Sequence, residues 1–548
     1  MKSIRAWTVA TAALTLVACG SGSGDAGSEN VQAIGGVTGQ ELAEKQVIHI
    51  GNGAEIQTLD PQRGQGDPGS HPQRDLFEGL IDEAPNGDLI PGVAESWTLS
   101  DDGKTYTFNL RHNARWSNGD PVTAADFVFG MQRGVDPKTL SNYSFILAPI
   151  KNAVEITAGK QPRSELGVQA LDDYTLQIEL ESPTPYFLGL LTHATTYPLH
   201  RASVEKYGEQ FTRPGNLVSN GAFKLDEWVV QSHIKLVRNP YYWDNEHTKI
   251  DEVWFYPTED LNSELQRYRA GELDYTYVIP AAQIGWIRQN LPKELSVAPY
   301  LGSYYYGFNT TRPPFKDNPK LRRALSLAID REVIAKDVLG VGELPAYGWV
   351  PPVAHYKAQQ MPEASWTQAE REAEARRLYV EAGYSEQNPL HTEILYNTQA
   401  DHRRIAVAIA AMWKRVLGVE ATLQNQEWKV FLDTRNKKID TQVYRNAWIG
   451  DYNDAYTFAE LFLSDAGLND TGYNNPEYDR LVHAAAKELD LDKREALLEQ
   501  AERVLLADMP LLPIYFYVSK HMVKPWIRGY ETNIMDHHEH RFFYVLKH

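Results

Sequence analysis

The segment EWKVFLDTRNKKIDTQVYRNAWIGDYND (Glu427–Asp454) gathers two arginines, Arg435 and Arg445, two tryptophans, Trp428 and Trp448, and the carboxylate Asp451. A carboxylate takes an ammonium, a guanidinium takes a carboxylate through two parallel hydrogen bonds, and indoles supply flat apolar walls. These residue types at this spacing predict a receptor for a ligand that carries both charges. Arg445 and Arg435 would serve the ligand carboxylate and interior charge balance; the plainer readings are a loop carboxylate or helix cap for Asp451 and surface or inter-element salt bridges for the arginines.

The elements that must position them are legible nearby. Trp428 to Arg435 reads as a short amphipathic helix, Thr441 to Trp448 has the β-branched and aromatic content of a strand, and Gly450 to Asp454 is a turn or loop. From about Ser303 onward helices and strands alternate. Helices are expected over Arg322–Leu339, Gln368–Glu381 and Asp401–Val416, and strands over Thr392–Tyr396 and Glu420–Leu423. That order predicts α/β units with largely parallel pairing. Leu511–Val518 is strand-like and would carry the chain back. In the first half, VIHIGNG opens with a strand, Trp97–Arg111 alternates as a hairpin, and Gly87, Gly119 and Gly221, each after Asn, mark tight turns. Gly103-Lys104-Thr105 lies in that hairpin without the upstream glycine of a phosphate loop.

The 548 residues allow about three domains, and 43% apolar with 11% aromatic residues exclude a disordered chain. The net charge is −18, falling to about −20 without Lys2 and Arg5, which argues against nucleic acid as a partner. Lys2 and Arg5, the apolar run Ala6–Leu14 and Leu16-Val17-Ala18-Cys19 read as a lipoprotein signal peptide over residues 1–18, with Cys19 as the lipid attachment site. Residues 19–40 are rich in Gly and Ser and read as a flexible tether. Cys19 is the one cysteine, so an intramolecular disulfide is excluded.

Beyond these residues, RDLFEGL (Arg74–Leu80), PGVAESW (Pro91–Trp97), WSNGDPVTAADFVF (Trp116–Phe129), GNLVSNGAF (Gly215–Phe223), NQEWKVFLDTR (Asn425–Arg435) and VKPW (Val523–Trp526) follow one another in an order that resembles the periplasmic oligopeptide-binding proteins of ABC importers. These belong to extracellular solute-binding protein family 5, and the resemblance runs from about Val37 to His548. It implies an α/β, two-lobed periplasmic binding protein of type II, cluster C-like. Domain I would comprise residues 41–77, 201–302 and 519–548, domain II 78–200 and domain III 303–518, with hinge crossings near Gly302 and Val518. It implies a lipid-anchored, monomeric receptor in the cell envelope that captures short peptides and passes them to an ABC permease in the inner membrane, without a cofactor.

The resemblance also implies residue roles. Asp451 would pair with the peptide α-amino group. His402 matches a family His near the C-terminal end of short ligands. Tyr143, Trp428, Trp448 and Tyr517 match residues lining side-chain pockets, while Tyr277, Tyr305 and His193 stand between pocket and structural roles. Some positions depart from the family pattern: Gln65 stands for a Glu, Val278 for an Asn and Leu339 for a Lys, and one residue is inserted between Arg435 and Arg445. The family disulfide positions correspond to Gly302 and Ile449.

Rival readings are a murein-peptide or other solute receptor on the same scaffold, a secreted peptidase, and a passive adhesin or holdase. The chain lacks a Gly-x-Ser-x-Gly elbow, a His-Glu-x-x-His pair and a cysteine nucleophile. Asp536-His537-His538-Glu539-His540 looks metal-like, but adjacent ligands rarely enclose one ion, so a solvated turn and no metal are expected.

Overall fold

The computed structural model describes residues 40–353 and 356–548. The signal peptide, Cys19 and nearly all of the tether lie outside the described residues.

Ile48 and Ile50 alternate with His49 along the strand Val47–Gly51, and both isoleucines are buried. This strand pairs in parallel with Glu252–Tyr256, and the sheet continues antiparallel through His233–Arg238 to Phe223–Val229. The expected hairpin forms from Ala94–Leu99 and Thr105–Leu110, in a second, antiparallel sheet completed by Thr175–Glu179 and Val168–Asp172. Against it lies the helix Ala124–Val135, opened by a reciprocal Thr123/Asp126 capping box. Of the three Asn-Gly turns, Gly87 and Gly119 hold φ of 86° and 93°. Gly221 is glycine for another reason: a Cβ there would lie 2.6 Å from the Asp75 carbonyl oxygen.

The third sheet has six strands in the order Leu344–Pro345, Leu511–Met522, Leu295–Phe308, Val443–Ile449, His391–Asn397, Glu420–Gln426. Parallel pairing is confined to His391–Asn397 with its two neighbours, and the remaining pairs are antiparallel. The expectation of largely parallel pairing therefore fails on one half of this sheet. The two longest strands, Leu295–Phe308 and Leu511–Met522, run against each other, and Leu295–Phe308 also runs against Val443–Ile449. Along Leu295–Phe308, Tyr304 and Tyr306 face one core with Tyr515, while Tyr305 faces the other, edge-on to Trp349 at 4.9 Å. Gly302 lies directly opposite Ile449 in the register.

The helix expected over Arg322–Leu339 is broken. It runs Pro319–Leu327, restarts at Arg331–Val333 and widens into a π-type turn over Ile334–Leu339. Asp330 caps the restart by accepting from the Val333 amide. Arg331, wholly buried, donates to the carbonyls of Ala346, Pro513 and Ser326, which requires the chain to turn there. The helices Gln368–Glu381, Ala400–Leu417 and Trp428–Lys437 match expectation within two residues at each end.

Candidate functional site

A chamber of about 320 Å³ lies between the six-stranded sheet and the first half of the chain. All ten proposed site residues (Tyr143, Tyr277, Tyr305, His402, Trp428, Arg435, Arg445, Trp448, Asp451 and Tyr517) line it, as do His193, Gln65, Val278 and Leu339.

Asp451 follows the strand Val443–Ile449 on a loop pinned at both ends. The Gly450 amide donates to the Leu301 carbonyl, and Arg494 clasps the Asp454 carboxylate through two bonds of 2.7 and 2.9 Å. The Asp451 amide donates to Thr457 Oγ1. The carboxyl itself is 11% exposed, and its Oδ2 is buried without a hydrogen-bond partner among the described residues. His193 Nδ1 accepts from the Thr195 amide, so the ring proton sits on Nε2. That Nε2 faces Asp451 Oδ1 at 3.7 Å, beyond hydrogen-bond reach. Burial pushes the Asp451 carboxyl up to about 8, against the pull of Arg74 and with a further push from Asp67. Burial likewise holds His193 down to about 3, so the imidazole is neutral. A desolvated carboxyl with a free oxygen and a neutral neighbour is poised for a cation brought in by a ligand.

The two arginines divide their roles. Arg435 Nε meets Asp470 Oδ2 at 2.9 Å, its Nη1 donates to Asn446 Oδ1, and the Asn446 amide donates to Tyr305 OH and to Asp470. This buried network balances its own charges, which makes Arg435 and Tyr305 a supporting wall. Arg445 has no carboxylate partner among the described residues. It donates to Asn397 Oδ1 and Tyr517 OH, lies over the Tyr304 ring at 4.9 Å, and leaves Nε unpartnered. A guanidinium in this state can take a carboxylate.

The aromatic residues close the walls. Tyr143 stacks on His193 at 4.7 Å, and Trp448 Nε1 donates to Thr457 Oγ1. Trp428, at the start of its helix, crosses the cleft so that a Cβ on Gly66 would lie 3.1 Å from its ring. Tyr186 stacks on Tyr452 at 5.4 Å, a second contact from the opposing half. His402 is buried at its helix start with Nδ1 3.4 Å from Tyr304 OH, and burial holds its ring well below the usual imidazole range.

The sequence reading missed Asp67, His71, Asn397 and Gln399. Asp67 opens the helix Asp67–Leu76, where an acid before proline reads as an ordinary first-turn residue. His71 Nδ1 donates to Asn52 Oδ1, because the Asn52 amide nitrogen is committed to the Pro68 carbonyl. Its Nε2 is left as an acceptor.

The Asp536–His540 run is no solvated turn, contrary to expectation. Asp536 bridges His521 and His538 at 2.8 and 3.0 Å, His537 joins Arg74 to Glu83, and His540 bonds the Asp75 carboxylate. Polar residues close in sequence are packed because buried carboxylates and Arg74 meet them one by one.

Residues 88–470 match the bacterial extracellular solute-binding proteins, family 5 (middle region). The chain is similar to the periplasmic oligopeptide-binding protein OppA of Salmonella typhimurium, at 43% identity over 93% of this chain and 94% of that one. Haemophilus influenzae OppA in complex with RPPGFSPFR superimposes with a TM-score of 0.89 at 41% identity, covering 92% of this chain and all of that one. The Escherichia coli murein tripeptide-binding protein MppA gives 0.90 at 41% identity, over 92% of this chain and all of that one. An unliganded open form of MppA gives 0.68 at the same identity, over 93% and 99%. This chain therefore matches the first MppA structure more closely than the unliganded open form.

Proposed function

We infer, for a chain that belongs to the bacterial extracellular solute-binding proteins of family 5, that it captures short peptides between two lobes and delivers them to an ABC permease. The observation that carries this reading is the buried Asp451 carboxyl, with one unpartnered oxygen, in the same chamber as an Arg445 that lacks a carboxylate. A free α-amino group satisfies the first and a peptide carboxylate the second.

The lobes close about the strands Leu295–Phe308 and Leu511–Met522, whose pairing shifts register between Pro299 and Ser303. The proposed boundary at 302/303 lies within that shift, and the one at 518/519 adjoins it. Domain I, domain II and domain III take the limits given above. Closure buries ammonium and carboxylate together, which strengthens both contacts in a medium of lower dielectric. The ligand passes to the permease intact. The receptor works as a monomer on the periplasmic side of the membrane, held by lipid on Cys19. Among the described residues no helix is long and apolar enough to cross a membrane.

Calorimetry with free tri- and tetrapeptides tests the reading, followed by mass spectrometry of the recovered peptide. Saturable one-to-one binding with intact recovery supports it. Cleaved products or no saturable binding overturn it. The murein-peptide reading makes the same demand on Asp451 and Arg445, and comparing a murein tripeptide with trialanine separates the two.

A further inference from the structure

The chamber holds more carboxyl groups without a cationic partner than one peptide ammonium can satisfy. Among its lining carboxylates, Asp470 is paired with Arg435, Asp536 with His521 and His538, and Asp401 accepts from Arg404 and the Ala281 amide. Among its lining cations, Arg74 is committed to Glu83 and Lys520 to Glu343, which leaves Arg445. Asp451, Asp67 and Glu259 have no cationic partner among the described residues. A simple peptide supplies one ammonium for Asp451 and one carboxylate for Arg445. Asp67 and Glu259 then remain without a cationic partner in the chamber.

We propose that Asp67 is a specificity-determining residue of this chamber and selects peptides carrying a basic side chain of the lysine, arginine or diamino-acid type. This rests on the peptide-receptor reading above. Asp67 is half-buried, and its side chain makes neither a hydrogen bond nor an ion pair among the described residues. Tyr277 and Tyr300 line the same chamber as Asp67. Trp428 closes over the preceding residue, Gly66, from the other lobe. Aromatic faces beside a carboxylate suit a long aliphatic stem ending in a cation. Burial pushes the Asp67 carboxyl up, so a cationic ligand group that meets it draws it into its charged form.

The test is calorimetry with trialanine variants carrying lysine at each position in turn, each against its norleucine counterpart, which keeps the stem and lacks the amine. For the native chain the best lysine peptide binds at least about tenfold tighter than its norleucine partner, the scale of one charge-assisted contact. In Asp67→Asn the ratio falls to within about threefold, while norleucine peptides bind as well as before or better. Equal binding of the native pair overturns the proposal without any variant being needed. A lysine preference that persists in Asp67→Asn also overturns it, and points to Glu259. Loss of binding for every peptide, trialanine included, counts instead against the peptide reading itself.

Discussion

Replacing Asp451 by Asn removes the charge and leaves the shape. Breaking a buried charge pair costs about 3–5 kcal/mol. Part of that is offset in advance, because the unliganded carboxyl sits at about 8 and must lose a proton to meet an ammonium at pH 7. That deprotonation costs about 1.4 kcal/mol. The net loss is therefore about 1.5–3.5 kcal/mol, so Asp451→Asn weakens tripeptide binding by about ten- to several-hundredfold. The proton provides a second readout. Calorimetry at pH 7 in buffers of different ionisation enthalpy should show about nine-tenths of a proton released per peptide bound, and none from this site in Asp451→Asn. Native affinity should rise from pH 6 towards 8, then fall as the peptide amine deprotonates.

Stability moves the opposite way. Between the ordinary carboxyl value of 3.8 and about 8, the folded chain holds a proton that the unfolded chain has released. Asp451 therefore destabilises the unliganded protein increasingly as pH climbs through that window. The Asn variant should melt higher than the native chain at pH 7 and equally near pH 4. Unchanged affinity together with unchanged melting would refute this reasoning.

The arginines should separate by assay. Arg435→Met leaves Asp470 buried and unpaired and should cost about 3–5 kcal/mol in urea unfolding. Arg445→Met breaks no ion pair among the described residues and should instead abolish the preference for a peptide acid over its C-terminal amide, read by calorimetry. Cysteines placed at Gly302 and Ile449, direct partners across two strands, should oxidise to a disulfide that raises stability by about 2–4 kcal/mol, checked by thiol titration and melting. Cys19→Ser should move the protein from the membrane to the soluble fraction of fractionated cells; equal partition would remove the lipid anchor.

Much of this site was legible because its residues sit close in sequence and on regular elements. Trp428 opens a helix, Arg445 and Trp448 lie on a strand, and Asp451 follows in a loop whose composition is plain. Pairing was not legible. Whether Arg435 or Arg445 is free depends on Asp470, in a loop that local pattern does not place. Asp67 carries no sequence signal as a binding residue, since its lack of a partner is a property of the closed chamber. The break before Arg331 follows from carbonyls that local pattern does not place, those of Ala346 and Pro513, together with that of Ser326 in the preceding helix. The histidines near the C-terminus looked solvent-facing because Arg74, Asp75 and Glu83, which bury them, lie more than four hundred residues earlier. Strand-helix alternation predicted an α/β fold but gave no warning that two long strands would enter the sheet antiparallel.

The central claim is that a buried acidic group holds the amino end of a peptide. Dissociation constants of one tripeptide with its amine free and with it acetylated, measured side by side at pH 7, test it most directly. The account predicts at least about tenfold weaker binding after acetylation. Equal constants would contradict it.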